Sequence, residues 1–74
     1  MRRLLIEEEV IVHPVNGMQL SEGVIRKDES TCFMGCLPGM EPEAGDTIDE
    51  VLTRLDRKAK AYYGVDVVVE LNRH

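Results

Sequence analysis

The chain has 74 residues, 9 Lys+Arg against 14 Asp+Glu for a formal net charge of −5, and two cysteines. That length suits one small domain, and that charge excludes a general nucleic-acid binder, which needs cations to displace counterions from phosphates. No stretch reaches the ~20 apolar residues of a membrane span, and a sparse cysteine pair points to a reducing cytoplasm.

Met1-Arg2-Arg3-Leu4-Leu5-Ile6 starts as a signal peptide would, but Glu7, Glu8 and Glu9 interrupt it. Leu4 to Val12 is predicted to be the first strand, with Leu4, Ile6, Val10 and Val12 on one face. Leu4, Leu5, Glu8, Ile11 and Val12 also fall at helical spacing; Pro14 and the Val-Ile-Val content decide for the strand. Asn16-Gly17 is a hairpin signal, since both residues tolerate positive φ. The returning strand is expected over Met18 to Lys27, with Leu20 and Val24 on one face and Gly23 marking a bulge or break. After the polar turn Asp28-Glu29-Ser30, Thr31 to Gly35 reads as a third strand. Cys32, Met34 and Cys36 share one face there and Phe33 takes the other. Leu37 to Gly45, with its prolines and glycines, reads as a loop.

Thr47-x-x-Glu50 is a capping box: Thr47 accepts from the Glu50 amide while Glu50 reaches back to Thr47. Asp49 favours the positive end of the helix dipole, and Gly64 supplies a left-handed stop. Between them Ile48, Val51, Leu52, Leu55, Ala59 and Tyr62 form an apolar stripe, with Glu50–Arg54 and Asp56–Lys60 at four-residue spacing. Tyr63 then falls at the rim. Val65 to Leu71 is the last strand, with Val65, Val67, Val69 and Leu71 facing one way; it is expected to pair with Leu4–Val12 at the sheet centre. The predicted fold is α+β in the order β-β-β-α-β: a three-stranded antiparallel meander, one helix packed on one sheet face, and a returning fourth strand. The core is built by the helix stripe, one face of the last strand, and Phe33 or Cys32/Met34. A core this small gains from self-association, so a homodimer or larger is expected.

Catalytic patterns are weak, and the chain reads as a non-enzyme with no cofactor. His13 precedes Pro14 and reads as a turn histidine, while His74 ends the sequence. Cys32, Met34 and Cys36 offer soft sulfur ligands for an ion such as Cu(I). An extended strand, however, separates the two thiols by about 13 Å, which favours packing over a shared ion or a disulfide. Adjacent tyrosines on a helix diverge by about 100°, so Tyr62-Tyr63 is a poor base-stacking pair. Leu37-Pro38-Gly39-Met40 projects from the sheet. It reads either as a turn that aims the chain into Gly45 or as a contact loop anchored by Leu37 and Met40, with Glu41, Glu43 and Asp46 as acidic neighbours.

Phe33, Leu37-Pro38-Gly39, Gly45-Asp46-Thr47-x-x-Glu50 and Tyr62-Tyr63 together resemble the HicB-like family of antitoxin domains over the last two thirds of the chain. The resemblance implies the same β-β-β-α-β order and a protein that neutralises a small, basic, RNA-cleaving toxin by covering its active surface. Operator binding is not implied, because no DNA-binding helix pair follows Leu71. Two other functions fit the residues: a free-standing acidic inhibitor of phage or plasmid type that occupies a nucleic-acid site on its target, and a thiol-based metal or redox protein.

Overall fold

The computed structural model describes residues 6–27 and 32–72, which form five strands and one helix. The strands are β1 (Ile6–Pro14), β2 (Ser21–Lys27), β3 (Phe33–Cys36), β4 (Glu43–Gly45) and β5 (Val67–Leu71), and the helix α1 is Ile48–Tyr63. Every pairing is antiparallel, in the sheet order β4-β3-β2-β1-β5. The expected β-β-β-α-β fold is therefore corrected to β-β-β-β-α-β. The expected pairing of the first and last strands is found, with Val12 opposite Val69, but it lies toward one edge. β2 occupies the centre and β5 the rim.

The additional strand comes from the segment read as a loop. Glu43-Ala44-Gly45 has little β-propensity of its own. It pairs inward with β3, Ala44 opposite Met34, and is held outward by the helix. Arg54 Nη1 donates to the Ala44 carbonyl, Lys58 Nζ donates to the Glu41 carbonyl at 3.0 Å, and the same ammonium pairs with Glu43 at 3.2 Å. Both sets of contacts are non-local, so no local pattern announces the strand.

β1 ends two residues later than expected. Pro14 is tolerated because it has no β2 neighbour and lies opposite Val67 at the strand end. The predicted first residues, Leu4 and Leu5, lie outside the described residues, as do Asp28, Glu29, Ser30 and Thr31. Asn16-Gly17 sits within a connection of residues 15–20 rather than a two-residue turn, and β2 starts at Ser21. The face of β2 that carries Val24 is not the inward one. Ile25 is fully buried and Val24 faces out, Leu20 precedes the strand, and Gly23 keeps register opposite Val10. A one-residue change of parity moves a strand's whole side-chain set across the sheet.

Thr47 Oγ1 accepts from the Glu50 amide at 3.1 Å, as the capping box requires, but Glu50 reaches one residue further back and accepts from the Asp46 amide at 3.0 Å. Gly64, at φ 120°, ends the helix and donates to the Lys60 carbonyl. α1 packs against β3, β4 and β5, and the sheet curves around it as a half-barrel. Close approach depends on Gly35: a Cβ there would lie 2.5 Å from Val51 Cγ1 and 2.8 Å from Leu55 Cδ1. Val10, Val12, Ile25, Leu37, Val51, Leu55, Ala59, Val67 and Val69 form the core, with Phe33, Met40, Ile48, Leu52 and Leu71 packed on it. Met34 faces away from this core and Tyr62 is exposed. In the core, therefore, Phe33 and not Met34 is the inward residue of β3, and the helix stripe stops at Ala59.

Candidate functional site

The same helix occupies both rims of the sheet. At β5, the Val69 amide donates to Asp56 Oδ1 at 3.1 Å and Lys60 Nζ donates to the Val67 carbonyl at 2.7 Å. Asp56 and Lys60 also pair with each other at 2.7 Å. At β4, Arg54 and Lys58 perform the equivalent task. Addition of a further strand would have to displace these side chains, so binding surface has to be sought on the outer sheet face and at the ends.

The outer face follows from strand alternation. Ile11, Val24, Met34, Cys36 and Val68 cross it as an apolar diagonal, with Val24 directly opposite Cys36. Glu7, Glu9, Glu22 and Glu70 border the diagonal. Arg26 compensates Glu7 at 2.9 Å and Asn72 donates to Glu9 at 3.2 Å. Among the described residues Glu22 has no ion-pair partner. His13 Nδ1 lies 2.7 Å from the Pro14 carbonyl and Nε2 3.0 Å from a Glu70 carboxylate oxygen. The hydrogen bond to Glu70, then that to Pro14, raises the His13 pKa above 6.5, because two acceptors facing two ring nitrogens favour the form with both N–H groups.

One end of the sheet has a different character. Strand register brings the 15–20 connection, the β3–β4 connection and the C-terminal end of α1 to this end. The Val15 amide ties it together by donating to the Asp66 carbonyl at 2.7 Å. Met18, Val65, Tyr62, Val15 and Leu20 are 87%, 79%, 67%, 63% and 52% exposed. Tyr63 meets Tyr62 edge to face with centroids 4.8 Å apart. Met40, Glu41, Lys58, Ala61 and Tyr62 line a shallow groove beside them.

The five residues expected in one contact loop are distributed. Leu37, 3% exposed, belongs to the core and has no surface to offer a partner. Met40 and Glu41 lie at the apolar end, and the Glu43 carboxylate is taken by Lys58. Asp46 lies at the opposite end, where its backbone is part of the helix cap. It borders a hollow with Phe33, Thr47, Ile48, Asp49 and Leu71. Sequence reasoning missed Val15, Met18, Leu20 and Val65 as surface residues. The available signal was the run from Pro14 to Ser21, eight residues without a charge in a chain that is 31% charged. Met34 and Cys36 sit on the outer face, Cys32 just before β3, and both thiols are free and half-buried. Among the described residues, no three His, Cys, Asp or Glu side chains converge as a metal site, and no helix is long and apolar enough to cross a membrane.

The chain matches no protein-family model, no curated protein and no solved structure.

Proposed function

We propose that this chain is a non-catalytic protein-binding module whose outer sheet face covers a basic surface on its partner. The observation that carries this reading is the apolar diagonal Ile11–Val24–Cys36, bordered by Glu9, Glu22 and Glu70, on a sheet whose two rims are already occupied. An apolar centre with a charged border is the usual anatomy of an interface, and the border sets steering and specificity. In a cytoplasmic setting the narrower form is an antitoxin-type role, the neutralisation of a small, basic, RNA-cleaving toxin. Its support is the resemblance in Leu37-Pro38-Gly39 and Gly45-Asp46-Thr47-x-x-Glu50 together with the net charge of −5.

The test uses the tagged protein and a Glu9→Lys/Glu22→Lys/Glu70→Lys variant on extract of the native cell, followed by association kinetics with any purified captured protein. A basic protein retained by the wild type should associate at least about tenfold more slowly with the variant at low salt, and the difference should shrink as salt rises. Equal association of both forms at every salt concentration would remove the outer face from the interface. An RNase assay of the captured protein, with and without this chain, then tests the narrower role.

A further inference from the structure

We propose that Asn16-Gly17 is a site of spontaneous chemical modification, at which the folded protein converts Asn16 to aspartate and isoaspartate through a cyclic imide formed with Gly17. The dipeptide reads as a hairpin turn in the sequence, yet the structure makes no two-residue turn of it. Val12 with Ser21 is the pair of β1 and β2 nearest the connection. Asn16 and Gly17 lie well beyond that pair, and both are exposed.

Cyclisation needs a carboxamide free to turn back on the chain and a following amide free to attack it. Among the described residues, the Val15 amide donates to the Asp66 carbonyl at 2.7 Å and the Leu20 amide to the Val12 carbonyl at 2.8 Å. Neither bond engages the Gly17 amide, and among the described residues no side-chain bond engages the Asn16 carboxamide. A two-residue hairpin turn would instead fix both residues between paired strands.

Gly17 is required on steric grounds as well. Without a Cβ it leaves the approach to its nitrogen open. The connection also holds glycine at this position: φ is +155°, and a Cβ would meet Pro14 Cγ at 3.1 Å. A bulkier residue that slowed the attack would therefore strain the backbone. Asn72, the other asparagine of the chain, is the internal contrast. Its carboxamide donates to Glu9 Oε2 at 3.2 Å, its amide donates to the Glu9 carbonyl at 2.9 Å, and it precedes Arg73 instead of a glycine.

Water is the sole co-reactant. The Gly17 nitrogen loses its proton and attacks the Asn16 carboxamide carbon. A C–N bond forms to Gly17, the C–NH2 bond breaks, and the leaving nitrogen takes up a proton and departs as ammonia. Water then opens the imide. Addition at the side-chain carbonyl gives aspartate, and addition at the backbone carbonyl gives isoaspartate, in which the chain runs through the former side chain. Nothing is oxidised or reduced. Either product sets a new carboxylate beside Asp66, which borders the same hollow as Pro14, Val15 and Asn16. A chain already at −5 gains one more negative charge there. The outer sheet face takes no part, so this chemistry stands or falls independently of the partner reading above.

The test incubates wild type, Asn16→Gln and a synthetic peptide of residues 14–20 at physiological temperature over a range of pH. Peptide mapping by mass spectrometry follows the exchange of NH2 for OH, and an isoaspartate-specific methyltransferase labels the rearranged product. Asn16 in the folded wild type should convert within about tenfold of the peptide rate, as an unprotected segment with almost no opening cost does. Reaction only through global unfolding would be slowed more than about a hundredfold. The rate should rise with pH, because the attacking nitrogen must lose its proton. Asn16→Gln, which must close a larger ring, should not convert on the same timescale, and Asn72 should keep its amide. Conversion of Asn16 more than about tenfold slower than in the peptide, a rate indifferent to pH, or equal conversion at Asn72 would each overturn the proposal.

Discussion

His13 shows how one side chain registers its neighbours. Both ring nitrogens face acceptors, Glu70 and the Pro14 carbonyl, so its folded pKa lies above the unfolded value of 6.5. A raised pKa means that the folded state holds the proton more tightly than the unfolded chain. The stabilisation is fully present below about pH 6.5 and is lost as pH rises through the folded pKa. An NMR titration should place the His13 midpoint above that of a histidine in a disordered peptide, and Glu70→Gln should move it down. An unchanged midpoint in the variant would show that the carboxylate is not the cause. The urea midpoint should likewise fall between pH 6 and pH 8 by more in the wild type than in Glu70→Gln. The pair spans 57 residues of sequence, so the reading of His13 as a turn residue could not include its partner. From spacing alone the thiols fit the core or the ligand set of a soft ion. The structure places Cys36 on the outer diagonal instead, because face depends on register and register depends on where β2 begins.

At the scale of the elements, α1 was the most legible part of the chain. A capping threonine, acids in the first turn and a terminal glycine are local instructions, and the helix runs Ile48–Tyr63 as they dictate. The Asp56–Lys60 spacing was also visible, but its use was not. Those two side chains serve the rim of β5 as much as the helix, binding the Val69 amide and the Val67 carbonyl. Asp56→Ala should therefore cost more than an ordinary four-residue helix pair, about 1–3 kcal/mol for loss of a charge-assisted hydrogen bond against about 0.3–0.5 kcal/mol for the pair alone. It should also leave β5 open to strand addition and increase aggregation. Asp56→Asn keeps an acceptor for the Val69 amide and should recover most of the difference in urea unfolding. A loss no larger than that of an exposed helix pair would show that the rim contact contributes nothing. β4 illustrates the converse case, since Glu43-Ala44-Gly45 carries no strand signature and is defined by Arg54 and Lys58 from the helix.

At the scale of the whole molecule, stability is concentrated in few residues. Leu55 is fully buried, lies over Gly35 and belongs to the small cluster that joins helix to sheet. Leu→Ala at such a site costs about 2–5 kcal/mol, and a domain below about 80 residues has about 3–5 kcal/mol in total. Leu55→Ala should therefore be largely unfolded at 25 °C by circular dichroism. A cooperative transition at the wild-type urea concentration would contradict so small a core. Ligand or self-association would raise the midpoint of both forms with concentration, which links this measurement to the proposed surface.

Local chemistry alone determined the helix and its two ends, the apolar content of the first and last strands, and the acidic character. These features depend on neighbours a few residues apart, where capping, periodicity and propensity act. The tertiary structure decided β4, the pairing of β1 with β5, the inward face of β2, the burial of Leu37 and the exposure of Tyr62. Each of these depends on which distant backbone or side chain arrives alongside. Alternation along β2 allows either parity, and only pairing with β1 and β3 under the helix makes Ile25 the buried residue. The apolar end is the clearest instance: Val15, Met18, Tyr62 and Val65 come from both ends of the chain, and only closure of the sheet against the helix brings them together.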